Sequence, residues 1–194
     1  LTGGVIYFPR RITNATLSTF RPPETTTTFT QEGFSAGLVD RLILSDWMVL
    51  ESTLAGRTFE VNEKVGGERP MVYAPQSQSG NFFNRQERRV GGLQVVEALS
   101  ISRDQWLGQH VFKLGFDLQH ARFHGDSVSS QLDVVRLDGS LAERTTYHPS
   151  LPEQRVSGTE VTGFVQDRWR LNDRLNFELG LRLDRDAITE HLNV

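Results

Sequence analysis

The sequence predicts an all-β fold, namely a fragment of an antiparallel transmembrane β-barrel with about seven long strands, short periplasmic turns and long extracellular loops. Three observations support this prediction. Several segments alternate between apolar and polar residues, the links between them are short and long in turn, and all three tryptophans lie in or beside a short link. Alternation with a period of two is typical of strands that have one apolar and one polar face.

Two segments alternate strictly. In Leu175–Asp184 every odd position is leucine or phenylalanine, and every even position is polar or glycine. In His110–Gln119 the apolar positions are the even ones, from Phe112 to Leu118. Weaker alternation predicts five more strands, at Gly3–Phe8, Gly33–Leu44, Trp47–Val61, Phe82–Ile101 and Gly158–Arg170.

The links between these segments differ in length in a regular way. Short polar links are expected at Ser45-Asp46, Ser102–Gln109 and Leu171–Arg174, and long links at Pro9–Glu32, Asn62–Asn81 and His124–Ser157. Outer-membrane barrels have tight turns at the periplasmic rim and long loops outside, so this order favours such a barrel. The long links contain the prolines, which cannot donate to a β-ladder. Within the last link, Asp138-Gly139 between alternating arms predicts a projecting hairpin.

The tryptophans indicate where a membrane boundary lies. Trp47, Trp106 and Trp169 all occur at predicted short links, whereas the long links contain none. Indole rings favour the interface between lipid and water, and outer-membrane barrels carry aromatic girdles there. The three tryptophans are therefore expected to be membrane-interface aromatics on one rim, although packing in an ordinary β core is the alternative interpretation.

Composition excludes several classes of protein. No apolar run exceeds four residues, against roughly 20 for a membrane-spanning helix. The net charge of -3 argues against a nucleic-acid partner, and the absence of cysteine excludes thiol chemistry and disulfides. Zinc-protease, nucleophile-elbow and phosphate-loop motifs are missing too. We therefore expect no catalytic residues, no enzymatic activity and no cofactor.

One stretch resembles a known family. Gly158–Asp186 contains a strand that closes in Phe-x-Gln-Asp-x-Trp, a tight polar turn and then Leu-Gly-Leu-Arg-x-Asp. This pattern resembles a barrel segment of TonB-dependent outer-membrane receptors, and Gly108–Phe123 is similar to a hairpin strand of the same family. A departure is Leu183, where the family often has tyrosine. The residues that carry the resemblance are Phe164, Gln166, Asp167, Trp169, Leu179, Gly180, Leu181, Arg182 and Asp184.

The resemblance implies much that lies outside the sequence. Residues 1–194 would be part of a β-barrel domain of about 22 strands in the bacterial outer membrane, with a plug domain and the remaining strands elsewhere in the protein. Such a receptor imports a scarce solute, for example a siderophore, a vitamin, a glycan or a peptide, with energy from TonB. Its partners would be outer-membrane lipid, its own plug, TonB and the solute. The long loops also resemble receptors with a carboxypeptidase-regulatory-like N-terminal domain.

Seven polar residues of the strictly alternating strands are expected to face the barrel lumen. There they either pair across strands or contact the plug or the solute. A metal site is not expected, although His120, His124 and Asp126 share one strand face and are candidate ligands. The lumen-facing candidates are Lys113, Asp117, Gln119, Asn176, Glu178, Arg182 and Asp184.

Two carboxylates fit this scheme badly. Alternation puts Asp167 on the same face as Trp169, so Asp167 must lie among headgroups or a bulge must intervene. Glu97 shares a face with Leu93, Val95 and neighbouring apolar residues, deeper in its strand. The sequence offers no explanation for Glu97.

Two other functions are compatible with parts of the pattern. A passive porin or surface-structural barrel would have the same strands but neither a plug nor a TonB-binding segment. A soluble glycan-binding β-sandwich would have short strands, tryptophans scattered over loops, and apolar faces packed against a second layer. The long strands and the grouped tryptophans disfavour the sandwich.

Overall fold

The computed structural model describes residues 1–104, 107–147 and 153–186, and the backbone of residues 192–193. Most of these residues lie in strands, because neighbouring alternating segments can pair edge to edge. In the described ranges no helix is long and apolar enough to cross a membrane. The strands are β1 (Thr2–Ala15), β2 (Thr27–Ser45), β3 (Met48–Val65), β4 (Met71–Ala74), β5 (Ser77–Ser79), β6 (Asn84–Arg103), β7 (Gln109–Ser129), β8 (Leu132–Val135), β9 (Leu141–Thr145), β10 (Gln154–Asn172), β11 (Leu175–Asp186) and β12 (Leu192–Asn193).

The long strands form one antiparallel sheet. Its order is β1-β2-β3-β6-β7-β10-β11-β12, so each long strand lies beside the next long strand in the chain. This is an up-and-down order, as expected for a barrel wall. The prediction of about seven long antiparallel strands is therefore confirmed, and so is the alternation of short and long links.

The long strands extend further toward the long links than predicted. β1 continues to Ala15, β7 continues to Ser129 and β10 already begins at Gln154. The expectation that Pro9 lies in a link is wrong, because Pro9 pairs with Glu32 inside the β1–β2 ladder. Among the described strands β1 pairs only with β2, so the missing N–H of proline need not interrupt a ladder.

The main sheet has two chemically different faces. Register places Leu50, Leu99, Leu114, Val165 and Leu181 in one row across five strands. We call the side that carries this row the apolar face and the other side the polar face. No layer of the described chain covers the apolar face: Leu179 is 62% exposed, and the buried hydrophobic residues of the described chain are Met71 and Ala98 alone. A β-sandwich would bury these leucines against a second sheet, so the structure argues against that alternative.

The three long links interlock into a cap at one end of the sheet. β4 and β5 from the second link, and β8 and β9 from the third, form a separate sheet in which β4 and β8 are parallel. The buried Asn81 side chain connects the second link to the first, since it donates to the Glu24 carbonyl over 3.0 Å and accepts from the Arg69 amide over 3.0 Å. The backbone amide of Gln78 donates to the Phe20 carbonyl. These contacts tie together segments that are distant in sequence.

The predicted hairpin at Asp138-Gly139 is confirmed. β8 and β9 are its arms, and Gly139 has a φ of 81°, a conformation that residues with a Cβ rarely adopt. Arg144 on one arm binds both carboxylate oxygens of Asp133 on the other at 2.8 Å. The hydrogen bond from Arg144 lowers the pKa of Asp133, so this pair stays charged in mildly acidic medium.

Candidate functional site

All seven predicted lumen residues lie on the polar face. One side of β7 carries Lys113, Asp117 and Gln119. The register of β7 with β10, and of β10 with β11, places the other four residues on the same side of the sheet. The structure thus places all seven on one face of the sheet. That this face lines the barrel interior stays a prediction. The four residues of β11 are Asn176, Glu178, Arg182 and Asp184.

Four of these residues, Lys113, Asp117, Glu178 and Asp184, contact side chains of other strands. Asp117 accepts two hydrogen bonds, of 3.1 and 2.9 Å, from Nε2 of Gln94 on β6. Lys113 reaches over β6 to Glu51 on β3, with 4.0 Å between Nζ and Oε2. Glu51 in turn lies 3.8 Å from the guanidinium of Arg41 on β2. These contacts form a charged ladder across four strands.

A second ladder joins β10 and β11. Thr162, which is buried, donates to Asp184 Oδ1 over 2.6 Å, and Arg182 Nε lies 2.9 Å from the same oxygen. Glu178 accepts a hydrogen bond from Gln166 and lies 3.7 Å from the Arg168 guanidinium. Glu178 and Asp184 are therefore paired across strands, whereas Arg182 contacts Asp184 within its own strand.

The sequence analysis missed Arg57. On the polar face its side chain lies across Gly92 of the adjacent strand, where a Cβ would be 3.4 Å from Arg57 Nε. Among the described residues Arg57 has no hydrogen-bond or ion-pair partner, and it is exposed. The pair Gly91-Gly92 inside a predicted strand signals close approach of a neighbouring group, but only the register identifies that group.

An apolar row crosses the polar face next to Arg57, on the side toward the cap. Phe8, Phe59, Val90 and Phe123 lie in register on β1, β3, β6 and β7. The rings of Phe8 and Phe59 are 6.3 Å apart. An unpaired guanidinium beside an apolar row is a surface that can bind an organic solute with an anionic group.

The candidate metal ligands are not brought together. His120, His124 and Asp126 share the apolar side of β7 toward the cap, but His120 Nδ1 is 2.8 Å from Thr159 Oγ1 and His124 Nε2 is 2.8 Å from Glu153 Oε1. Within the described ranges no three His, Cys, Asp or Glu side chains are close enough to hold a metal ion.

Trp47 and Trp169 lie at the short-turn end of the sheet, and Trp106 is outside the described residues. The Arg103 guanidinium lies 3.8 Å from the centre of the Trp47 ring. Trp169 donates from Nε1 to the Leu107 carbonyl over 2.9 Å and stacks on His110, with ring centres 5.3 Å apart. Both described tryptophans therefore lie at the short-turn end of the strands.

The two misfitting carboxylates lie on the apolar face and have polar partners. Asp167 is 2.8 Å from His110 Nδ1, and no bulge occurs there, because the register of β10 shifts only beyond Arg170. Glu97 accepts a hydrogen bond of 2.7 Å from Ser52 on the adjacent strand. The hydroxyl of Ser52 therefore compensates part of the unfavourable position of Glu97.

Known proteins support the barrel assignment. The family model described as "TonB dependent receptor-like, beta-barrel" matches residues 3–191. The fold is similar to the crystal structure of the outer membrane transporter YddB from Escherichia coli, with a TM-score of 0.72 and 14% sequence identity. The likeness covers 98% of this chain and 26% of the transporter. No curated protein matches the sequence.

The match therefore extends over nearly the whole chain and agrees with the two-faced antiparallel sheet, its short turns and its long links. This chain belongs to the TonB-dependent receptor-like β-barrel family.

Proposed function

We propose that the apolar face contacts membrane lipid and that the polar face lines the barrel interior. On β7 the apolar side is bounded by His110 at the short-turn end and by His120 toward the cap. Ten residue steps of roughly 3.3 Å, tilted by about 40°, span about 25 Å, the height of the apolar band on outer-membrane barrels. Exposure of so many apolar side chains to water is unfavourable, whereas lipid tails solvate them.

The tryptophans and the link lengths support an orientation of the sheet in the membrane. Trp47 and Trp169 lie at the short-turn end, and Trp106 belongs to another predicted short link, so this end is assigned to a membrane interface. We assign it to the periplasmic interface, with the cap outside the cell, because outer-membrane barrels have short periplasmic turns and long extracellular loops.

The whole protein, of which this segment is a part, is proposed to import a scarce solute across the bacterial outer membrane, with energy supplied through TonB. The single observation that carries this proposal is the family match over residues 3–191. A plug domain and TonB would be its partners. The segment acts by binding and conduction, and we assign it no catalytic chemistry.

The luminal surface around Arg57 is the part of this wall that we propose contacts solute. Its guanidinium is unpaired among the described residues, and it adjoins the row of Phe8, Phe59 and Phe123. The paired residues Asp117, Arg182 and their neighbours would instead stabilise the wall, since each already has a hydrogen-bond partner within it.

Uptake in deletion strains separates this proposal from a passive porin. Cells supplied with ferric siderophores, cobalamin or oligosaccharides are compared after deletion of the receptor gene or of the tonB gene. Energised import predicts a solute whose uptake falls at least tenfold in both strains. Uptake that is lost with the receptor but persists without TonB would show a passive pore instead.

A further inference from the structure

Arg122 is an unpaired cation on the apolar face. Its side chain lies flat across Gly91, where a Cβ would be 2.9 Å from Arg122 Nε, so only glycine leaves the guanidinium in this position without displacement. Arg122 is exposed, and it has neither a hydrogen bond nor an ion pair with any residue of the described ranges. A free guanidinium on a face that contacts lipid is stabilised by an anionic partner.

Two cavities meet at Arg122. The first, of about 400 Å³, is called the apolar cavity. Small or apolar residues, among them Ala36, Gly56 and Leu93, form part of its lining, and Arg57, Thr58, His120 and Arg122 contribute polar groups. The second, of about 420 Å³, is called the basic cavity and is lined by Arg89, Gly91, Arg122, His124, Arg155 and Ser157. Gly91 and Arg122 belong to both, so one molecule can occupy both cavities.

The basic cavity lies where the apolar band ends. On β7 the apolar residues stop at Leu118, and His120, Arg122 and His124 follow on the same side. Arg89 is neutralised by Glu60, and Arg155 lies 2.8 Å from Glu153, so Arg122 supplies the charge that no carboxylate offsets. This level corresponds to lipid headgroups if the apolar face contacts lipid, and the inference therefore rests on the proposed function.

We propose that this surface binds a phosphorylated lipid of the outer leaflet, with an acyl chain in the apolar cavity and a phosphate on Arg122. Guanidinium groups bind phosphate through two parallel hydrogen bonds, and basic clusters at a membrane surface select anionic headgroups. Gly56 leaves room for the chain, because the nearest heavy atom to a Cβ there is 4.0 Å away. Ser157, paired with Arg122 across β7 and β10, provides a hydroxyl donor at the same level.

Native mass spectrometry of the full-length receptor in detergent tests this site with diphosphorylated lipid A as the probe. The Arg122→Gln variant is expected to retain this lipid about tenfold more weakly, which is the effect of losing one charge-assisted contact. Lipid A from which both phosphates have been removed should bind the two proteins equally and weakly. Inorganic phosphate should not displace the lipid at the same concentration.

Arg10→Gln is the matched control. Arg10 is an exposed arginine on the polar face, two residues from Phe8 in β1, and it has no ion pair among the described residues and lines neither cavity, so its replacement should leave lipid retention unchanged. The proposal would be overturned if both variants lost lipid A retention equally. It would also be overturned if wild type and Arg122→Gln retained diphosphorylated lipid A equally. Full displacement by inorganic phosphate would overturn it too, because the site would then be a simple anion site.

A second variant keeps the test independent of Arg122. Gly56→Leu fills the apolar cavity without removing a charge, and it is expected to weaken retention of diphosphorylated lipid A severalfold. Failure of this inference is distinguishable from failure of the proposed function. If the apolar face does not contact lipid, wild-type receptor retains neither form of lipid A; if only the phosphate site is wrong, it retains both forms equally.

Discussion

Replacing Leu183 by Arg is expected to lower the free energy of unfolding of the receptor in a bilayer by roughly 2–4 kcal/mol. Leu183 lies on the apolar face, six residues beyond Phe177 at the short-turn end, which places it near the middle of the apolar band. Its partner across the ladder is Gly163, so the new guanidinium finds no carboxylate opposite. Urea titration of the full-length receptor folded into lipid vesicles measures the change.

Gln119→Arg is the control for this substitution. It places the same side chain on the polar face, between Gln94 and Glu160, and should change the free energy of unfolding by no more than about 0.5 kcal/mol. Equal destabilisation by the two substitutions would contradict the assignment of the faces. If Leu183→Arg destabilised the receptor less than Gln119→Arg, the assignment of the two faces would have to be reversed.

Residues 1–194 expressed alone are expected to aggregate in buffer without detergent, and to form a defined monomer only when detergent or lipid is present. The reason is the exposed apolar face, together with the outer edge of β1, which pairs with no other described strand. Size-exclusion chromatography and thermal melting, with and without detergent, measure this. A sharp, reversible melt of a monomer in plain buffer would show that the apolar face does not need lipid.

Sequence periodicity predicted the central part of each long strand well. In β7 from Phe112 to Gln119, and in β11 from Leu175 to Asp184, apolar residues alternate with polar residues or glycine, because lipid and interior impose opposite requirements on the two faces. The order of short and long links follows from the same geometry. For these strands, local pattern and final environment agree.

The strand ends toward the cap were not predictable in this way. There the pattern changes sides: Glu32, Glu60 and Arg89 form a polar row on the apolar face, whereas Phe59 and Val90 are apolar residues on the polar face. The regular apolar side ends where lipid no longer requires it, although the ladder continues. The predicted links were therefore too long.

Contacts between distant segments also could not be predicted from the sequence. The parallel pairing of β4 with β8 joins short segments from two different links, and neither has a periodic pattern long enough to identify. Likewise, Arg57 and Arg122 lie across Gly92 and Gly91 only because of the register of β3, β6 and β7. Residue type alone did not distinguish these arginines from solvated surface charges.

Spin labelling along β7 in the full-length receptor tests the central claim most directly, because the segment has no native cysteine to interfere. Single cysteines carrying nitroxides are exposed in vesicles to oxygen, which concentrates in lipid, and to a water-soluble nickel chelate. If the apolar face contacts lipid, oxygen should relax the nitroxides more strongly than the nickel chelate at every apolar-face position. On the polar face oxygen should not be the stronger relaxant. Nickel-dominated or equal relaxation on both faces would contradict it. The positions to compare are Phe112, Leu114, Phe116 and Leu118 with Lys113, Asp117 and Gln119.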